Sequence, residues 1–219
     1  MAESHDLFEI IKTTRAMRRL KPDPVPDELI VKILQAGICA ANGGNGQVWS
    51  FLVIKDRKIK DAVQAIYKRA HVEVVGPNYA ASKVPPGSDP ERFKRQHELV
   101  EYLTDHFAEA PVWIVPCITH GGINQPNRTA GASIYPAVQN MLLATRALGL
   151  GSTLTTRNLI PAYEKETEAA LGLPEGTRCY AILPIGWPMG KFGPVRRGPL
   201  SDVVFLDRVG QPYPPAAAT

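Results

Sequence analysis

One stretch of the chain, residues 130–148, limits the possible folds more than any other part of the sequence. Apolar side chains recur along one side of it at helical spacing, and alanines occupy much of the remaining surface. The residues on the apolar side are Ile134, Val138, Met141, Leu142, Thr145 and Leu148. Because so little polar surface is left for water, we expect this helix to be buried on most of its faces, in the core of a dimer.

The rest of the chain alternates between helical and strand patterns, with neither an internal repeat nor a linker. We therefore expect a single α+β domain over residues 1–210, followed by a disordered tail over residues 211–219. Residues 71–89 are rich in proline and glycine and are predicted to form a long loop. Helices are predicted over residues 6–17, 27–39, 57–70, 90–109 and 162–171, and strands over 49–54, 112–118, 152–156 and 179–186, with a last β-rich patch at 203–206.

The composition excludes several classes of protein. Of the 219 residues, 44% are hydrophobic and 21% are charged, a balance typical of globular domains rather than disordered or fibrous chains. An acidic start and the lack of an apolar run of roughly 20 residues predict neither a secretion signal nor a membrane span, and hence a cytoplasmic location. The net charge of +4 is too diffuse to indicate nucleic-acid binding. Three widely spaced cysteines, Cys39, Cys117 and Cys179, indicate neither a disulfide framework nor a metal site.

The first candidate for chemistry is a group of arginines, Arg15, Arg18 and Arg19, at the end of the first predicted helix. The prolines of residues 21–26 cannot continue that helix, so the arginines lead into a rigid connector. Arginine binds phosphate through a planar fork of donors, which makes this cluster a candidate phosphate site, and the distant pair Arg196–Arg197 could converge on it. The alternative is a solvated helix end whose cations complement the helix dipole, with the distant pair in a surface turn.

The second candidate is the glycine-rich segment over residues 42–49. Its glycines let the backbone approach a ligand closely, while Asn45 and Gln47 each offer a donor and an acceptor. Such groups suit a planar ring with alternating carbonyl and N–H groups. The competing interpretation is an irregular turn that leads into the strand at Trp49.

Other catalytic patterns are missing from the sequence. Residues 149–154 lack the third glycine of a dinucleotide fingerprint, and residues 186–192 depart from the P-loop pattern. The chain has neither Gly-x-Ser-x-Gly nor His-Glu-x-x-His, so hydrolysis has no support. Most histidines are expected to face solvent, although His97 and His120 fall near the predicted long loops, where they could touch a substrate.

Taken in order, these segments resemble the nitroreductase family of FMN enzymes, from about Leu7 to about Val204. The family opens on an arginine-rich run followed by Pro-Val-Pro, which appears here over residues 15–26. Its next pattern, Ala-Pro-Ser-x-x-Asn-x-Gln-Pro-Trp, is matched at Asn45, Gln47 and Trp49. Further matches are the apolar helix with Gln139 and Asn140, the turn at 148–151, Gly186-Trp187-Pro188 and the pair Arg196–Arg197. Departures from the pattern are Thr14, Ala16, Ala41, Asn42 and Val48.

The resemblance implies a nitroreductase-like α+β fold. Its central sheet would be mostly antiparallel and flanked by helices, with the long buried helix at the core of a homodimer. In this family FMN lies at the subunit interface, so the groups that bind it need not all come from one chain.

The resemblance also implies which residues would bind FMN. Arg15 and Arg19, with Arg197 and Arg196, would hold the phosphate, although Thr14 and Ala16 stand where many relatives carry arginine and serine. Arg18 would lie nearer the ring, where its charge favours the reduced flavin. Residues implied at the ring edge or ribityl chain are Asn42, Asn45 and Gln47, and those implied to offer a backbone N–H to flavin N5 are Thr155, Thr156 or Arg157.

The implied activity is ping-pong transfer of a hydride from NAD(P)H, through the flavin, to a small nitroaromatic, quinone or similar acceptor. No catalytic side chain and no metal are required. Substrate choice would come from residues 71–98 and 119–129, with Tyr79, Phe93, His97 and His120 as candidate lining residues. Two alternatives stay open: a specialised flavin-fragmenting, dehalogenating or dehydrogenating member of the family, and a flavin-binding or sensing protein without turnover.

Overall fold

The computed structural model describes residues 6–84, 89–119 and 128–215. Helices and strands are interspersed along the described residues, so the chain is mixed α and β structure. The helices are α1 (Leu7–Thr13), α2 (Asp27–Ile38), α3 (Arg57–Ala70), α4 (Gly76–Ala81), α5 (Pro90–His106), α6 (Arg128–Ala147) and α7 (Pro161–Ala170). The strands are β1 (Trp49–Ile54), β2 (Val112–Thr119), β3 (Gly151–Ser152), β4 (Thr177–Cys179) and β5 (Leu183–Gly186).

The strands form one sheet in the order β1-β2-β5-β3, with β4 paired to β2, and each of these pairs is antiparallel. Strand β2 is central and is buried from Val112 to Ile118 on both faces, which explains why it reads as a continuous apolar run. The predicted α+β fold with a mostly antiparallel sheet is therefore confirmed.

Helix α6 packs against α2 and the sheet through Ile134, Ala137, Val138 and Met141, all of them buried. The helix predicted over residues 130–148 is thus confirmed. One side of α6 stays open in the single chain, since Gln139 is exposed and Tyr135 is 39% exposed. A dimer core around α6 remains a prediction. No helix among the described residues is long and apolar enough to span a bilayer.

The prediction of a long loop over residues 71–89 is wrong for most of its length. A π-helical turn (His71–Val75) continues from α3 and leads into α4. Pro77 lies in the first turn of α4, where a helix needs no N–H from it, so this proline does not stop the helix. The turn is also anchored to α7, because the Tyr163 hydroxyl donates a hydrogen bond to the Glu73 carboxylate.

Four further segments differ from the sequence prediction. Helix α1 ends at Thr13 rather than near residue 17, and the hydroxyl of Thr14 bonds the carbonyl of Ile10 while its backbone turns extended. The strand expected over residues 179–186 is divided into β4 and β5, and the one expected over 152–156 is reduced to β3 and an isolated bridge at Thr155. Residues 203–206 are not a strand, and Phe205 only bridges to Pro212. Disorder over 211–219 stays a prediction.

Residues 15–19, hereafter the arginine segment, run along the edge of the sheet. The N–H of Met17 donates to the carbonyl of Ser152 (2.8 Å), and the N–H of Met189 donates to the carbonyl of Arg19 (3.0 Å). Just beyond, the N–H of Lys21 donates to the carbonyl of Trp187 (2.8 Å). The backbone that carries the arginines is therefore fixed by the sheet.

Two glycines make this close approach possible. Gly151 of β3 and Gly186 of β5 are direct partners across the sheet, and Leu20 packs over both. A Cβ on Gly151 would lie 2.8 Å from Leu20 Cδ2 and 3.0 Å from Met17 Cβ. Both contacts are shorter than van der Waals packing allows, so only glycine leaves room for the segment.

Replacement of Gly151 by alanine is predicted to lower the free energy of unfolding by about 1–3 kcal/mol, because the added methyl must displace Met17 and Leu20. Urea denaturation measures this change. Gly198→Ala is the matched control, since its nearest neighbour would be 3.7 Å away and no such loss is expected. Equal stability of Gly151→Ala and the wild-type protein would contradict the packing described.

Candidate functional site

Three adjoining cavities surround the arginine segment. The first, of about 330 Å³, lies between the segment and α5, and the second, of about 560 Å³, lies between α1, α6 and β3. The third, of about 330 Å³, lies beneath α3 and α5 beside residues 153–157. Arg18 lines all three cavities, while Arg15 and Ala16 line the first and the second.

The C-terminal residues Pro194–Arg197 close onto the same region. The N–H of Val195 donates to the carbonyl of Lys12 (2.8 Å), which draws this stretch onto the end of α1. Arg197 lines the first and second cavities, and Arg196 lines the first. The structure thus brings together the two arginine groups that lie about as far apart in sequence as the domain allows. Arg19 is the exception, because its guanidinium lies 5.4 Å from the ring centroid of Tyr102 and lines none of the three cavities.

The cavities are strongly basic. Among the described residues, no carboxylate lines any of them and none of their cations forms an ion pair. Other arginines of the described chain do have carboxylate partners, such as Arg69 with Glu166 and Arg178 with Glu168. The cations that line the cavities are Lys12, Arg15, Arg18, Arg92, Arg146, Arg157, Arg196 and Arg197.

Two of these arginines are partly removed from water, and burial lowers the pKa of both Arg18 and Arg157 from the ordinary arginine value. Neighbouring positive charges lower these pKa values further: Arg15 lowers the pKa of Arg18, and Arg18 lowers the pKa of Arg157. A bound anion would offset both penalties. The arrangement is therefore suited to phosphate or another oxyanion.

Residues 153–157 supply a polar edge to the second and third cavities. The N–H of Thr155 donates to the carbonyl of Ile182 (3.1 Å), and its hydroxyl lies 2.8 Å from the hydroxyl of Tyr67. Burial raises the pKa of Tyr67, so the phenol stays protonated and can donate. Thr156 is exposed, and within the described parts of the chain its N–H has no hydrogen-bond acceptor. Of the two threonines, Thr156 has the backbone donor that is open to a ligand.

Three of the residues predicted to contact a substrate gather at the first cavity. The Tyr79 ring lies 4.7 Å from the His97 ring, which lies 4.3 Å from the ring of Phe93. All three line the cavity. His97 Nε2 is buried and has no hydrogen-bond partner among the residues that the structure describes. His120, the fourth candidate, lies outside the described residues.

The glycine-rich segment is not brought to these cavities within one chain. Asn45 and Gln47 are exposed and hold positive φ angles of 53° and 47°, which are uncommon for residues other than glycine. The N–H of Gln47 donates to Asn42 Oδ1 (2.9 Å), and the N–H of Gly43 donates to Ser133 Oγ (3.1 Å). The segment is therefore a fixed loop at the start of α6 whose amide side chains face outwards.

Sequence reasoning missed several lining groups. Arg146 extends from the apolar helix α6, with its guanidinium 4.2 Å from the Phe192 ring centroid and Nε bonded to Thr13 Oγ1 (3.0 Å). The Arg157 side chain was also missed, because its position after a turn suggested only a backbone role. A lone arginine in an apolar helix is the one signal that could have indicated Arg146.

Repulsion among the unpaired cations should reduce the stability of the ligand-free protein. Arg15→Gln is predicted to raise the free energy of unfolding by about 0.5 kcal/mol at low salt, with the gain largely lost in 1 M salt, where the screening length is roughly 3 Å. Urea denaturation at both salt concentrations measures it. Arg95→Gln is the control, because Arg95 is exposed on α5 within a turn of Glu91 and Glu98. A loss of stability in Arg15→Gln would contradict the repulsion.

Comparison with known proteins finds relatives that match most of the chain. A model described as the Nitroreductase family matches residues 11–187. An NADH dehydrogenase from Thermus thermophilus is 30% identical over 205 residues, covering 87% of this chain and 90% of that protein. An iodotyrosine deiodinase from Thermotoga neapolitana is 26% identical over 182 residues, covering 83% and 88%.

The fold is shared with solved structures. A nitroreductase with bound FMN from Desulfitobacterium hafniense superimposes with a TM-score of 0.68 and 19% identity, covering 93% of this chain and 99% of that one. At that identity the likeness shows the fold alone. The family match covers most of the chain and includes the arginine segment, β1, α6 and β5. The chain therefore belongs to the nitroreductase family.

Proposed function

We propose that this protein is an FMN-dependent oxidoreductase that transfers a hydride from NAD(P)H to a small oxidised acceptor. The observation that carries the proposal is the set of carboxylate-free basic cavities around Arg18, bordered by the open backbone of Thr156. Membership of the nitroreductase family and the FMN bound in a structural neighbour support it. An NADH dehydrogenase among the relatives is consistent with a nicotinamide donor.

The residues present fit FMN. Its phosphate needs unpaired guanidinium groups, and Arg15 and Arg197 line the same two cavities, with Arg196 beside the first. Arg18 would lie nearer the ring, since it also borders residues 153–157. Ala16 offers no side-chain donor, so the neighbouring cations must replace the serine found in many relatives. Arg19 is engaged with Tyr102 and is left out of the proposed phosphate site.

A homodimer would complete the site. Several apolar side chains on α1, α2 and α6 are exposed in the single chain, among them Phe8 at 67% and Ile38 at 53%. The exposed amides of Asn45 and Gln47 lie on the loop that bonds the start of α6, and the Asn42 amide holds that loop by accepting from the N–H of Gln47. We propose that the partner subunit supplies these amides to the flavin, because within one chain they do not reach the arginine cavities.

When bound, FMN supplies a two-electron carrier whose N5 accepts a hydride from the nicotinamide and passes it to the acceptor. The protein contributes position, charge and exclusion of water. The N–H of Thr156 is the donor we assign to the ring, and Arg18 favours negative charge beside it. Tyr79, Phe93 and His97 form an aromatic wall of the first cavity against which a planar donor would pack, and Tyr79 also lines the third cavity.

A second candidate acceptor class has a specific observation in its favour. The chain resembles an iodotyrosine deiodinase over most of its length, so a halogenated aromatic compound is an alternative to a nitroaromatic or quinone. The same flavin would serve both reactions, and only the acceptor would differ.

The decisive experiment starts with purified protein incubated with FMN and separated from the free cofactor. We expect a retained visible flavin spectrum that bleaches on anaerobic addition of NADH or NADPH and returns on addition of a nitroaromatic, quinone or halogenated phenol. Stopped-flow absorbance follows both half-reactions. Failure to retain FMN, or failure of both nicotinamides to bleach it, would rule out the proposal.

Loss of a phosphate-binding arginine should weaken FMN binding selectively. Arg15→Ala and Arg197→Ala are each predicted to raise the Kd for FMN about 10- to 100-fold, the effect of one charge-assisted hydrogen bond of about 1.5–3 kcal/mol. Quenching of flavin fluorescence during titration of the apoprotein measures the Kd.

Two controls separate phosphate recognition from general damage. Riboflavin, which lacks the phosphate, should bind the variants and the wild-type protein with similar affinity. Arg57→Ala removes an exposed arginine paired with Asp61 outside the cavities and should leave FMN binding unchanged. Equal losses for FMN and riboflavin would show that these arginines do not contact the phosphate.

A further inference from the structure

Arg157 is an anomaly among the arginines of the described chain. It is only 8% exposed, yet no carboxylate of the described residues lies within ion-pair distance. The one hydrogen bond described for its side chain runs from Nη1 to Thr104 Oγ1 (2.5 Å). A guanidinium has five N–H donors, so most of its capacity is unused. Buried cations without a partner are strongly disfavoured, which indicates that the partner is a ligand.

The guanidinium is held in a fixed place. It stacks 4.1 Å from the ring centroid of Tyr67, which in turn stacks on Phe107 at 4.4 Å. Phe107 stacks on Trp113 of β2 at 4.2 Å, so this aromatic column connects Arg157 to the centre of the sheet. Thr104 accepts from Arg157 and donates to the carbonyl of Val100 (2.8 Å). Such positioning is what a pre-organised anion site requires.

Arg157 faces the third cavity, which it shares with Arg18. Thr153, Thr155 and Thr156 give that cavity one polar side, and the opposite wall is apolar and aromatic, with Tyr79, Val100 and Leu103 among its residues. Its volume of about 330 Å³ is at the lower end for small-molecule sites and suits a single ring. Arg157 does not line the first or second cavity, where Arg197 lies, so its ligand is separate from the proposed FMN phosphate.

We propose that Arg157, together with Arg18, forms an oxyanion subsite for the acceptor, which would be a small aromatic or quinoid compound carrying a carboxylate or a phosphate. The inference rests on the proposed function and names its substrate class. The arginine pair binds the anionic group, and the apolar wall takes the ring. The third cavity borders Thr156, so an acceptor bound there lies next to the backbone donor assigned to the flavin.

Binding of unreactive probes tests the subsite without turnover. Benzoate, phenyl phosphate and the neutral benzamide are titrated calorimetrically into the oxidised holoenzyme. We expect at least one anion to bind about 10-fold or more tightly than benzamide, as one charge-assisted hydrogen bond allows. The tighter of the two anions identifies the acceptor group as carboxylate or phosphate. Equal binding of benzamide and both anions, or no binding of either anion, would overturn the proposal.

A variant assigns the preference to Arg157. Arg157→Met keeps an unbranched apolar stem without the charge and should reduce the anion-to-benzamide affinity ratio about 10- to 100-fold, whereas Arg157→Lys should retain part of it. Arg69→Met, an exposed arginine paired with Glu166, is the control and should leave the ratio unchanged. An unchanged ratio in Arg157→Met would also overturn the proposal. If Arg157→Met does not fold, the affinities of the wild-type holoenzyme for the two anions and for benzamide decide whether the subsite exists.

The binding test needs bound FMN but no turnover, so the acceptor subsite and the hydride transfer are tested separately. Reduction of the flavin by NADH or NADPH, and its reoxidation by 4-nitrobenzoate or 4-nitrobenzamide, are measured separately. Turnover of both acceptors with equal kcat/KM would leave the oxidoreductase in place and reject the acceptor subsite. Anion binding without any reduction by nicotinamide would instead reject the oxidoreductase.

Discussion

Close contact between the arginine segment and a pair of glycines is the constraint on which the candidate site depends. Gly151 and Gly186 face each other across β3 and β5, and the missing side chains let Met17 and Leu20 lie directly on the sheet. Hydrogen bonds from the backbone of residues 17–21 then fix the direction of the segment. Arg15 and Arg18 are thereby presented by a strand-like edge rather than by a flexible helix end.

The same arrangement concentrates positive charge with no internal compensation. Arg57, Arg69 and Arg178 each pair with a carboxylate, whereas among the described residues the arginines around the three cavities do not. Such a cluster lowers the stability of the ligand-free protein and favours the binding of an anion. The arginines that would improve binding therefore reduce the stability of the free protein. The buried aromatic column from Trp113 to Tyr67 gives the rigidity that keeps Arg157 in this unfavourable place.

Much of the fold was predictable because its signals are local. Helices α2 and α3 and strand β1 match the sequence prediction to within one residue at each end, since caps, prolines and apolar periodicity set their limits. The helical path over residues 71–81 was not predictable, because its contacts include residues distant in sequence, such as that of Glu73 with Tyr163, 90 residues away. The role of the Arg157 side chain was not predictable either, because only the folded chain places it on Tyr67 and beside Arg18, which are distant in sequence.

Arg18 links the ligands that the site would hold. Because it lines all three cavities, its charge acts on any anion bound in them. Two anions that bind near the same cation repel each other, and this repulsion offsets part of the attraction that each has to the cation. The two anionic groups are therefore best kept apart. The other arginines are distributed in this way. Arg197 lines the first and second cavities, and Arg157 lines only the third. Under the proposed function, the cofactor phosphate and the anionic acceptor would therefore each contact a guanidinium that the other does not contact.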